Sequence, residues 1–165
     1  MKRLYKFAAV LALMAGASAH AADATYSVKL MTPETALKAA MAGLKKCRDG
    51  GYHVAIAVVD RAGHTQVMLR DRFAGMHTPE AAVNKAWTAT SFKTNTTQFA
   101  ESTQSGKEPS GIRQIPRVLA IGGGMMIEAG GVLYGAVGVS GAPTGAADDG
   151  CAKAAIAAIT EDLEF

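Results

Sequence analysis

Apolar positions in this chain follow two rhythms. In "LMTPETALKAAMAGLKKC", Leu37, Ala40, Met41, Leu44 and Cys47 recur at helical spacing and share one face. Thr32 is the expected N-cap, with Pro33 at the first helical position. Lys45, Lys46 and Arg48 gather where the helix dipole favours cations, and Gly50-Gly51 ends the run. The rhythm then changes. "VAIAVVD" is continuously apolar and rich in β-branched residues, as a central strand covered on both faces requires. Asp60-Arg61-Ala62-Gly63 is a turn, and a strand of alternating character follows from His64 to about Arg70.

Helical spacing returns in "HTPEAAVNKAWTATSF", with Thr78 as the expected cap, Pro79 first and Glu80 in the first turn. Val83, Ala86, Trp87 and Thr90 are its expected apolar face. A short helix is predicted over Thr96 to Glu101, and "STQSGKEPSG" reads as polar loop. "VLAIGGGMMIEAGGVLYGAVGVSG" carries two strands around a turn from Glu128 to Gly131. An Ala-rich helix closes the chain, with Asp148 or Asp149 near its start and a stripe of Ala152, Ala155, Ile156, Ile159 and Leu163. The order α-β-β-α-α-β-β-α contains two hairpins, so it predicts an antiparallel sheet flanked by helices, an α/β (α+β) domain rather than a parallel Rossmann sheet.

The first 22 residues follow a different logic. Lys2, Arg3 and Lys6 precede the apolar run "FAAVLALMAGASA", and Ala19-His20-Ala21 fits a small-x-small cleavage rule. This pattern predicts a secretory signal peptide over residues 1–22, a secreted and periplasmic protein, and no stable membrane span after cleavage. Residues 23–165 then form one domain. Without the three leader cations, the 17 Lys and Arg fall to 14, equal to the 14 Asp and Glu. A neutral domain carries no broad electrostatic footprint for nucleic acid, and no nucleic-acid partner is expected. In an exported chain Cys47 and Cys151 could pair as a disulfide or sit as two small buried side chains; spacing alone does not choose.

The glycines raise the question of a phosphate cradle. No Gly-Lys-Ser/Thr occurs, and Gly122-x-Gly124 is followed by Ile127 where a dinucleotide fingerprint needs glycine. Close packing of backbone against a helix or a flat ligand is the simpler use for them. Ser140 in "GVSGA" departs from Gly-x-Ser-x-Gly at Ala142, so a serine hydrolase has little support. Cys-x-x-Cys-His is absent, which argues against covalent haem. Among the histidines, His53 opens a strand and His64 follows a turn. His77 lies beside a helix start and is the first candidate metal ligand, with Met76 next to it as a soft ligand and His53 second. Arg70, Arg72, Lys85, Arg113 and Arg117 are available for a ligand's carboxylates.

Several stretches taken together, "VAIAVVDRAGHTQVMLRD", "AGMHT" with "NKAWTATSF", "IGGGMMI" and "GGVLYGAVGVSGAPTGAADDGCAKAAI", closely resemble the GlcG/HbpS-like family of haem-binding proteins over nearly all of residues 23–165. The resemblance implies a profilin-like fold, a five-stranded antiparallel sheet flanked by helices, and homo-oligomers. It implies non-covalent haem as cofactor, in a carrier, a sensor or a haem-degrading protein, and related domains occur beside corrinoid enzymes. Members with a second acid one turn after the position of Glu80 could bind iron there; here that place is Val83. The family motifs contain no iron ligand. His77, Met76 and His53, with Arg113 for a propionate, therefore rest on their chemistry alone. The alternatives are a periplasmic accessory module for another small molecule, and an enzyme acting on a small acid or carbonyl substrate.

Overall fold

The computed structural model describes residues 24–164; the expected leader, 1–22, lies outside them. Helix α1 (Pro33–Asp49) leads into the hairpin β1 (Ala55–Asp60) and β2 (Thr65–Arg70). Helices α2 (Thr78–Phe92) and α3 (Thr96–Ser102) follow, then a 3-10 helix (Glu108–Gln114) that begins within the stretch expected to be loop and runs past it. A second hairpin, β3 (Gly124–Ala129) and β4 (Val132–Ser140), precedes α4 (Gly145–Ala157) and the short α5 (Thr160–Leu163). Among the described residues the sheet is antiparallel with four strands in the order β2-β1-β4-β3, not the five that the resemblance implied. The two hairpins use all of the β-branched runs. Residues 24–30, ahead of α1, are exposed and lie in no helix or strand.

The sheet separates two helical layers. Alternation sends Ile56, Val58, Ile127, Val137 and Val139 into the main core under α1 and α4. The opposite side chains, Ala55, Ala57, Val59 and Ala136, pack with Ala82, Ala86 and Ala89 of α2. Strand β1 is thus covered on both faces, as its unbroken apolar run predicts.

Small residues decide how the helices sit. The buried face of α1 is Ala36, Ala39, Ala40, Gly43, Leu44 and Cys47, whereas Leu37 and Met41, expected inside, are about half exposed. Gly43 explains the rotation: a Cβ there would stand 2.5 Å from Ile56 Cδ1 and 3.0 Å from Ala155 Cβ. Cys47 and Cys151 are disulfide-bonded with Cα atoms 5.5 Å apart, which ties α1 to α4. On the other layer, Gly138 has no room for a Cβ because the Ala82 carbonyl of α2 occupies that space. The glycines in "YGAVGVSG" therefore serve contact between backbones.

Two further expectations change. Helix α2 begins at Thr78 rather than being capped by it: His77 holds the cap position without a side-chain cap bond, and Thr78 Oγ1 donates to the Gly75 carbonyl at 2.7 Å. The last helix is not continuous, because Ile159 turns inward, fully buried, between α4 and α5. Thr144 caps α4, its hydroxyl accepting from Ala147 N–H at 3.2 Å. No helix among the described residues is long and apolar enough to cross a membrane.

Candidate functional site

One hollow of about 710 Å³ opens where the start of α2, the residues before β1 and the β4–α4 turn converge. That volume falls in the range of pockets for ligands of cofactor size. Its walls include Tyr52, Phe73, Ala81, Leu119, Ile121 and Pro143. Phe73 and Ile121 are 72% and 52% exposed, so the rim presents apolar surface to solvent. His53 and His77 both line this hollow, so the fold brings the first and second candidate ligands together. Met76 is 94% exposed and outside the lining. Arg113 lines a separate hollow, donating from Nε to Thr103 Oγ1 at 2.9 Å and from an η-nitrogen to the Ala100 carbonyl at 2.6 Å. His64 stands at the far hairpin turn, 3.5 Å from the Asp60 carboxylate.

His53 is held from behind. Its Nδ1 lies 3.5 Å from Asp71 Oδ2, and its ring meets Phe73 edge-on at 5.2 Å. Asp71 is buried yet well satisfied: Arg48 donates to both of its oxygens at 2.9 and 3.2 Å, and Arg72 N–H donates at 2.8 Å. The Arg48 guanidinium, with help from the Arg72 amide and His53, holds the Asp71 carboxyl far below the usual carboxylate range. The result is a fixed anion beside one imidazole nitrogen, 3.5 Å away. A ligating histidine commonly has such a partner.

The floor holds a feature that the sequence reading did not find. Lys85 Nζ lies 2.8 Å from Asp148 Oδ2 and donates to the Val139 carbonyl at 2.9 Å, with both side chains almost fully buried. Asp148 Oδ1 also accepts from Ala142 N–H at 3.0 Å. Burial pushes the Asp148 carboxyl above its ordinary value, against the opposing pull of Lys85 and that amide. Asp149 takes a different task, accepting from Gly123 N–H and Thr97 Oγ1, both at 2.6 Å. A signal for the pair was present: Lys85 shares the spacing of Ala82, Ala86 and Ala89, so a lysine occupies a core position of α2. Its partner, 63 residues away, has no local cue. Among the described residues no three His, Cys, Asp or Glu side chains gather into a metal cage.

The arrangement can hold a flat apolar body between aromatic and aliphatic walls, with two imidazoles and a buried ion pair lining the same hollow. Known proteins share this fold. The structure of a Streptomyces reticuli HbpS double mutant is 34% identical and superposes with a TM-score of 0.77 over 82% of this chain and 91% of that one. The structure of a PduOC:heme complex is 28% identical, with a TM-score of 0.75 over 79% of this chain and 96% of that one. The corrinoid adenosyltransferase PduO of Salmonella typhimurium is 34% identical over 108 residues, 64% of this chain. The chain spans about a third of that enzyme's length, 32%. A family model described as haem degrading protein HbpS-like matches residues 31–157, and the chain belongs to that family.

Proposed function

We propose that this chain is an exported haem-binding protein that seats haem non-covalently in the hollow between α2, β1 and the β4–α4 turn. The observation that carries the reading is the convergence of His53 and His77 on one hollow with apolar walls. The residues present fit the group: a porphyrin needs flat apolar surface, which Phe73, Leu119 and Ile121 provide, and its iron needs nitrogen, which the two imidazoles supply. His77, on the exposed cap of α2, is the first ligand. His53, oriented by Asp71, is the second. Bound haem would supply the oxygen and redox chemistry; the protein supplies position and shelter. Export and a periplasmic place are supported by the leader pattern at residues 1–22 and by the Cys47–Cys151 bond, which oxidising compartments permit. Homo-oligomerisation is part of the same reading, since the apolar rim around Phe73 and Ile121 would be covered in an assembly.

Haemin titration, followed by the Soret band, tests this. Saturation near one haem per chain is expected. His77→Ala and His53→Ala should each change the spectrum, and the double variant should lose the sharp endpoint. Saturation that survives the double variant would remove both histidines from the iron. A weak, unsaturable response would remove haem.

One observation favours a second reading. Asp148, pushed upward by burial and joined to Lys85 in the floor, is the kind of shifted group that enzymes on small acid or carbonyl substrates employ. An accessory or catalytic module for such a molecule is what an unsaturable haem response would favour.

A further inference from the structure

A second hollow of about 330 Å³ lies at the other end of α2, between its last turns and the β1–β2 turn, with Leu133 at the start of β4 as an apolar wall. Three features set it apart from an ordinary surface dent. Thr90 lines it and is 5% exposed, and its Oγ1 is buried without a hydrogen-bond partner. Neighbouring threonines behave otherwise: Thr88 Oγ1 donates to the Asn84 carbonyl at 2.7 Å. A buried hydroxyl left without a partner is costly, and such groups are rare in folded proteins.

The second feature is unbalanced charge. Arg61 and Lys93 both line the hollow, and neither has an ion-pair or hydrogen-bonding side-chain partner among the described residues. The nearest acid in sequence to Arg61 is occupied, since Asp60 Oδ1 accepts from Ala62 N–H at 2.8 Å and His64 N–H at 2.9 Å. The backbone fixes both cations at bends: Arg61 in the hairpin turn, and Lys93 in the left-handed conformation (φ 49°) that ends α2.

The third feature is Trp87. Gly63 lies so close that a Cβ there would stand 2.8 Å from indole Cδ1 and 3.2 Å from Nε1. The Arg117 guanidinium sits over the ring, 4.9 Å from its centroid. The indole is therefore held in place, and no described group accepts from its N–H.

From these features we propose that the hollow between the β1–β2 turn and the end of α2 is a binding site for a small organic carboxylate. Arg61 and Lys93 bind the anionic end, Thr90 and Ser91 offer hydroxyl donors, and Leu133 and the edge of Trp87 receive the apolar body. A guanidinium presents paired donors that match the two oxygens of a carboxylate. The site is at the opposite end of α2 from His53 and His77 and does not depend on the haem reading.

The chain has a single tryptophan, so Trp87 fluorescence reports on this hollow directly. The test is titration of the purified, haem-free protein with benzoate at constant ionic strength, exciting Trp87 at the red edge where benzoate does not absorb. A saturable change in emission is expected. Arg61→Gln with Lys93→Gln should weaken it about tenfold or more, since charge-assisted bonds carry much of the affinity. Thr90→Val should weaken it by a smaller factor, with a thermal melt of the ligand-free protein no lower than that of the wild type. Sodium chloride should reproduce none of it. No saturable change, a change undiminished in the double variant, or a response to inorganic phosphate without one to benzoate would each overturn the proposal.

Discussion

Lys85 and Asp148 show how much a single pair can control here. Both are almost fully buried, and between them they connect α2, β4 and the start of α4. Taking one charge away leaves the other in a low-dielectric interior, which typically costs about 3–5 kcal/mol, whereas replacing both with apolar groups of similar size is often neutral. Lys85→Met alone should therefore lower stability by about that amount in urea denaturation. Lys85→Met combined with Asp148→Leu should recover most of the loss. Equal destabilisation by the single and double variants would mean that the side chains matter for packing rather than for charge.

At the scale of elements, the bond between α1 and α4 joins cysteines 104 residues apart, so it closes most of the domain into one loop. Removing a native disulfide of this kind costs about 2–5 kcal/mol through the freedom returned to the unfolded chain. Cys47→Ala with Cys151→Ala should shift the urea midpoint downward by a corresponding amount, and reductant should have no further effect on the variant. A midpoint insensitive to reduction in the wild type would show that the bond does not form. The elements themselves were largely legible from sequence: β1 announced itself by its unbroken apolar run, α1 by Thr32 and Pro33, and the two hairpins by their turns. What was not legible was rotation. Leu37 and Met41 satisfy helical periodicity but lie outward, because Gly43 and the alanines allow α1 to press against Ile56 and Ala155. Which face is buried depends on how closely a neighbour approaches, and one such neighbour, Ala155, lies 112 residues from Gly43 in the chain. The candidate site divides the same way. His53 and His77 stood out by residue type, and the fold joined them. Met76 and Arg113 were equally plausible by type, yet the chain directs them elsewhere.

For the molecule as a whole, the two buried carboxylates give opposite pH dependences. Asp71 is depressed in the folded state, so the folded protein holds its proton less tightly than the unfolded chain. Its contribution is present above the unfolded carboxyl value of about 3.9 and is lost as pH falls below it toward the folded value. Asp148 is raised, so the folded form binds the proton more tightly, and stability declines as pH rises from that same unfolded value through the folded one. Replacing Asp71 with Asn isolates the first effect. The gap in melting temperature between wild type and Asp71→Asn should be widest near neutrality and should shrink progressively below about pH 4. A gap of constant width across that range would show that the Arg48 contact does not depend on the charge of Asp71.

The contact between Gly138 and the Ala82 carbonyl has a bearing on protein engineering. Helix and strand touch backbone to backbone there, so no side chain can be inserted between them to reshape the hollow from beneath. Diversity has to enter at the mouth, through Phe73, Leu119, Ile121 and Pro143, whose side chains meet the hollow from loops. A library confined to those positions would vary the walls of the hollow while the sheet and α2 remain a constant platform. One framework could thus be re-addressed to many ligands at little cost to folding.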